Sequence, residues 1–103
     1  MASEFVTLAT VHEVPAGELA AFEAGGAKIA VANVEGTFHA FDDTCTHLQC
    51  SLAEGDLERT TVTCPCHGSQ FDVTTGAVLA PPAVHPVRSY RVRVAGDALQ
   101  VAL

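Results

Sequence analysis

Four cysteines and two of the five histidines fall between residues 42 and 69 of a 103-residue chain. They form two short runs, Cys45-Thr46-His47-Leu48-Gln49-Cys50 and Cys64-Pro65-Cys66-His67-Gly68-Ser69. Thiolate and neutral imidazole suit zinc, copper or an iron–sulfur cluster, whereas calcium and magnesium want oxygen ligands that these runs lack. Two Cys and two His from two loops can close a tetrahedral zinc site. They can equally hold two sulfide-bridged irons, both thiolates on one iron and both imidazoles on the other. Only one residue separates Cys45 from His47, against the roughly two to four usual between paired zinc ligands. That gap strains convergence on one ion and suits two neighbouring ones.

The elements that must position these runs are strands. Short alternating apolar stretches recur at Phe5-Leu8, Leu19-Ala24, Lys28-Val34, Phe38-Phe41, Thr60-Thr63, Gln70-Asp72, Ala77-Leu79, Val87-Val94 and Leu99-Ala102, the pattern of an all-β sandwich or barrel. Pro15-Ala16-Gly17, Gly25-Gly26, Glu35-Gly36, Thr75-Gly76 and Gly96-Asp97 supply the reversals between them. Alternation predicts one inward face for Ile29, Val31 and Asn33, and likewise for Tyr90, Val92 and Val94. A single helical turn is expected around Ser51-Glu54, where Ser and Glu three apart resemble a capping box. The acidic pair Asp42-Asp43 reads as a solvated turn. His12, His39 and His85 lack ligand spacing and read as ordinary strand or surface histidines.

Composition narrows the function classes. The chain carries 5 Lys+Arg against 12 Asp+Glu, a formal charge of −7 that repels phosphate backbones and anionic membranes, so neither nucleic acid nor membrane is an expected partner. An apolar content of 49 % with 17 % charged residues can cover a packed core. No apolar run approaches the roughly 18 residues of a spanning helix, and Met1-Ala2-Ser3-Glu4 lacks the layout of a secretion signal. The expectation is a single domain over residues 1–103, soluble and cytoplasmic.

Cys-x-His, sixteen residues, then Cys-x-x-His resembles the signature of the Rieske ferredoxins, matched here by Cys45, His47, Cys64 and His67. The wider loops Cys-Thr-His-Leu-x-Cys and Cys-Pro-Cys-His-Gly-Ser match as well, and Ala80-Pro81-Pro82-Ala83 stands where the family places a third cluster-covering loop. The resemblance implies a Rieske-like antiparallel β-sandwich or barrel with a cluster-binding subdomain, its loops spanning about 42–83. It implies one [2Fe–2S] cluster, with Cys45 and Cys64 on the inner iron and His47 and His67 on the outer. Replacing two thiolates by neutral imidazoles makes the added electron easier to hold, and Rieske centres lie at about −150 to +300 mV.

Further roles follow from the same resemblance. Cys50 and Cys66 match positions that form a disulfide between the loops in one branch of the family. Ser69 matches the residue whose hydroxyl donates to a bridging sulfide and raises the potential. Phe71 stands where the quinol-oxidising branch has a Tyr that donates to a ligand sulfur, so one tuning bond is missing. That branch also carries a membrane anchor for which this chain has no apolar length. The implied function is therefore a mobile one-electron carrier, not itself an enzyme, that docks transiently with a flavoprotein reductase and a terminal oxygenase, with Leu48, Gln49, Pro81 and Pro82 at the contact. A monomer suits a shuttle. The alternatives are a Rieske head of a quinol-oxidising complex and a structural Cys2His2 zinc module.

Overall fold

Glycines at positive φ turn the chain between successive long strands at Gly25-Gly26, Gly36 and Gly96. At Gly25-Gly26 both residues hold positive φ, 56° and 80°, which side chains rarely adopt, and Ala24 pairs directly with Ala27. A computed structural model describes residues 5–46, 50–66 and 68–103. Its strands are β1 (Phe5–Thr10), β2 (Leu19–Ala24), β3 (Ala27–Val34), β4 (Thr37–Asp42), β5 (Asp56–Glu58), β6 (Thr61–Thr63), β7 (Gln70–Asp72), β8 (Val78–Ala80), β9 (Ser89–Ala95) and β10 (Ala98–Ala102). The all-β expectation holds, and most of the expected strands are present within a residue or two of their bounds.

Six strands form one antiparallel sheet in the order β1-β10-β9-β4-β3-β2, whose edges β1 and β2 approach each other so that it nearly closes. The other four, β5-β6-β7-β8, form a smaller antiparallel sheet. It is inserted between β4 and β9, so the segment holding every cysteine is a separate lobe carried on a framework that is complete on either side of it.

Two apolar clusters share β3 as their common wall. Ile29 and Val31 join Val14, Ala40, Leu99 and Val101 inside the large sheet. Ala30 and Ala32, on the opposite face, join Phe41, Cys45, Leu52, Val62, Cys64, Phe71, Val73, Ala83 and Val87. Both faces of β3 are thus buried, where alternation predicts one. Alanine is apolar enough to sit inside and small enough to leave room for Phe41 and Phe71. Asn33 faces inward as expected and is satisfied: its Nδ2 donates to the Val14 carbonyl at 2.8 Å and its Oδ1 accepts the Gly36 amide at 2.7 Å. Val94, expected inward, is 49 % exposed near the outer end of β9.

Two other expectations are corrected. The turn at Leu52–Glu54 exists as a 3-10 turn, but Ser51 makes no capping bond to it. A capping box forms instead at Thr10, whose amide donates to the Glu13 carboxylate at 2.7 Å. Asp43, expected in solvent, is 4 % exposed.

Candidate metal centre

The first cysteine loop is a hairpin closed at its base. Thr44 bridges Ser51, the Cys45 amide donates to the Cys50 carbonyl at 2.9 Å, and the Leu52 amide donates to the Asp43 carbonyl at 2.7 Å. The Asp43 carboxylate completes the closure: Oδ2 accepts the Ser51 hydroxyl at 2.6 Å and Oδ1 accepts the Ala53 amide at 2.9 Å. That is why Ser51 does not cap the 3-10 turn. His47, Leu48 and Gln49 lie outside the described residues.

The second loop joins β6 to β7. The Cys64 amide donates to the Ser69 carbonyl at 2.8 Å and the Gly68 amide to the Cys64 carbonyl at 3.2 Å, which turns the chain sharply and leaves Pro65 and Cys66 exposed. His67 lies outside the described residues. A disulfide between Cys50 and Cys66, with Cα atoms 6.5 Å apart, staples the two loops together. The sulfurs of Cys50, Cys64 and Cys66 lie within 4.8 Å of one another, so Cys64 sits directly against the disulfide. Sulfurs bonded to each other are not thiolate donors. Cys45 and Cys64 therefore remain as the donors among the described cysteines.

A third loop closes over them. Pro81 and Pro82, joined by a cis peptide bond, are exposed, and the buried Ala83 that follows donates its amide to Ser69 Oγ at 3.0 Å. Accepting that bond leaves the Ser69 hydroxyl its own proton to donate. The Thr46 hydroxyl donates to the His85 carbonyl at 2.7 Å, tying the first loop to the third. Between these anchors Val84 is 77 % exposed. Phe71 is fully buried in the same cluster as Cys45 and Cys64, with β7 pairing it to Val62.

The donor set fits an iron–sulfur core. Cys45 and Cys64, 0 % and 3 % exposed, come from two different loops into one apolar cluster. A thiolate held in such a place needs positive charge beside it, which a soft metal supplies. Of the remaining histidines, His12 is exposed beside Asp97 at 3.8 Å, His39 is half-buried on β4 and His85 is exposed. Sequence reasoning missed two features of the site, the burial of Asp43 and the exposed Val84. The first depends on Ser51 and Ala53 folding back onto it, a contact across eight to ten residues that no local pattern announces.

An antiparallel β framework bearing two stapled cysteine loops and a proline lid defines an iron–sulfur protein domain. Residues 4–91 match the family described as the Rieske [2Fe-2S] domain, and the chain belongs to that family. It is 44 % identical over 87 residues to the ferredoxin component of biphenyl 2,3-dioxygenase from Rhodococcus jostii (strain RHA1), covering 84 % of this chain and 81 % of that protein. It is 30 % identical over 103 residues to the ferredoxin component of a naphthalene 1,2-dioxygenase system from Pseudomonas aeruginosa, covering 100 % and 99 %.

Among solved structures, the ferredoxin of carbazole 1,9a-dioxygenase from Nocardioides aromaticivorans IC177 superposes with a TM-score of 0.92 at 34 % identity, covering 97 % of this chain and 98 % of that one. A chain from a complex of reduced oxygenase and oxidized ferredoxin in carbazole 1,9a-dioxygenase gives 0.88 at 32 % identity, covering 95 % and 92 %. The protein is a Rieske-type electron carrier with a [2Fe–2S] cluster as its cofactor, and not itself an enzyme. The zinc reading of the same residue types is thereby set aside.

Proposed function

We propose that this chain passes single electrons from a flavin-containing reductase to the terminal oxygenase of a ring-hydroxylating dioxygenase system. In this reading residues 1–103 form one Rieske domain with its cluster-binding loops at about 42–83. Cys45 and Cys64 hold the inner iron, and His47 and His67 hold the outer one toward the docking edge. The observation that carries the proposal is the convergence of two buried thiols, from separate loops, beneath one disulfide and one proline loop. When bound, the cluster takes up and gives back one electron.

The chain's own residues do the rest. The disulfide and the Ala83–Ser69 bond fix the two covering loops to each other. The buried Phe41, Leu52 and Phe71 keep water from the thiol side. The exposed Pro81, Pro82 and Val84 offer the partner a weakly apolar edge, and the family resemblance assigns Leu48 and Gln49, which lie outside the described residues, to the same contact. Electron-transfer encounters of this kind are small, often below about 1,200 Å² buried, so the contact forms and breaks quickly. Among the described residues no helix is long and apolar enough to cross a membrane. A cytoplasmic monomer is part of the same proposal.

Stopped-flow mixing of the reduced chain with the purified oxygenase of the biphenyl 2,3-dioxygenase system tests this reading. Oxidation of the chain with matching reduction of the oxygenase is expected. A chain that stays reduced on mixing contradicts it.

A further inference from the structure

Asp43 is the one carboxylate buried in the described part of the cysteine lobe, at 4 % exposure. Both of its oxygens accept hydrogen bonds, from the Ser51 hydroxyl at 2.6 Å and the Ala53 amide at 2.9 Å. This all-acceptor pattern is that of a carboxylate anion. Its main chain is equally committed, with the amide donating to the Lys28 carbonyl at 3.0 Å and the carbonyl accepting from Leu52 at 2.7 Å. Among the described residues no cationic side chain pairs with its carboxylate. The single ion pair among them is His12 with Asp97, and the side chains of Lys28, Glu23 and Glu54 line the same surface cleft as Asp43 without pairing with its carboxylate.

An unpaired buried anion is costly to fold around, and a neutral side chain would serve as a loop anchor at less cost. Asp43 stands two residues from Cys45, within about 7 Å along the chain. At that range, away from water, a fixed negative charge opposes any further negative charge placed on the metal site. We propose that Asp43 is a positioning residue with a second effect: it clamps the base of the first cysteine loop, and its charge holds the reduction potential down. Ser51 moderates that effect by donating to Oδ2. The inference rests on the ligand assignment proposed above.

Opposite shifts in two variants test it. Asp43→Asn keeps the shape and an acceptor for the Ala53 amide but removes the charge. The equilibrium constant for reduction is expected to rise about tenfold, which is about 59 mV for one electron. Ser51→Ala keeps the charge and removes one donor from it, so the potential is expected to fall. Exposed Asp56→Asn, as a control, shifts the potential less, and its shift shrinks as salt is raised, whereas that of Asp43→Asn persists. Protein-film voltammetry reads the potentials, and electron paramagnetic resonance of each reduced variant checks that the centre is intact. An unchanged potential in Asp43→Asn with an unchanged spectrum overturns the inference alone. If Asp43→Asn does not fold, a potential in Ser51→Ala that stays level or rises overturns it. A wild-type spectrum without mixed Cys/His character overturns the ligand assignment and this inference together.

Discussion

The amide of Ala83 donates to the hydroxyl oxygen of Ser69 at 3.0 Å, with both residues buried, so one side-chain atom holds the proline loop against the second cysteine loop. Replacing Ser69 with Ala leaves the Ala83 N–H buried without a partner, at a cost of about 1–3 kcal/mol. It also removes the hydroxyl proton that the Rieske resemblance directs at a bridging sulfide. Ser69→Ala is expected to melt at lower temperature and to have a lower reduction potential, measured by calorimetry and voltammetry. A potential equal to wild type means that the hydroxyl serves only the loop.

Phe71 packs against the same apolar cluster as both buried thiols and brings no hydroxyl. In Phe71→Tyr an added O–H donating toward a ligand sulfur favours the reduced state. If that bond is worth about 1 kcal/mol, the potential rises by roughly 40 mV. A potential that falls in this variant removes the argument.

The Cys50–Cys66 disulfide joins residues 16 apart in sequence. Loop-closure entropy puts its contribution at about 3 kcal/mol. The Cys50→Ser, Cys66→Ser double variant is expected to lose about that much in urea denaturation and to release iron faster. Equal stability with and without the bridge means that the loops are held by hydrogen bonds alone.

Tyr90, the chain's one tyrosine, donates its hydroxyl to Asp42 Oδ1 at 2.5 Å. Burial first, then the bond to Asp42 and that carboxylate's charge, push its pKa from 10.0 up to about 12, against a smaller opposing pull from Arg88. Between pH 10 and about 12 the folded state therefore holds a proton that the unfolded state releases, and stability falls as pH rises through that window. Tyrosinate absorbance is expected to titrate near the upper end, and Tyr90→Phe to flatten the alkaline loss of stability. Titration near 10 in the folded protein contradicts the burial argument.

Much of this was legible from residue order. Alternation and glycine placement gave every strand of the large sheet and three of the four in the small one, because a hairpin with a two-residue turn is a local decision. The Cys and His spacings pointed to the cofactor, because ligand chemistry tolerates few alternatives. What escaped was decided by distant partners. β5, at Asp56-Leu57-Glu58, has only one apolar residue and is a strand because β6 pairs with it. Asp43 looks like surface until Ser51 and Ala53 fold over it, and β3 looks one-sided until the small sheet covers Ala30 and Ala32.

The most direct measurement is electron paramagnetic resonance of the dithionite-reduced protein, with iron and acid-labile sulfide counted on the same sample. Two of each per chain are expected, with an average g value below that of an all-cysteine cluster, because imidazole nitrogen replaces two thiolates. A colourless protein holding one zinc, or a spectrum of the all-cysteine kind, would contradict ligation by Cys45, His47, Cys64 and His67.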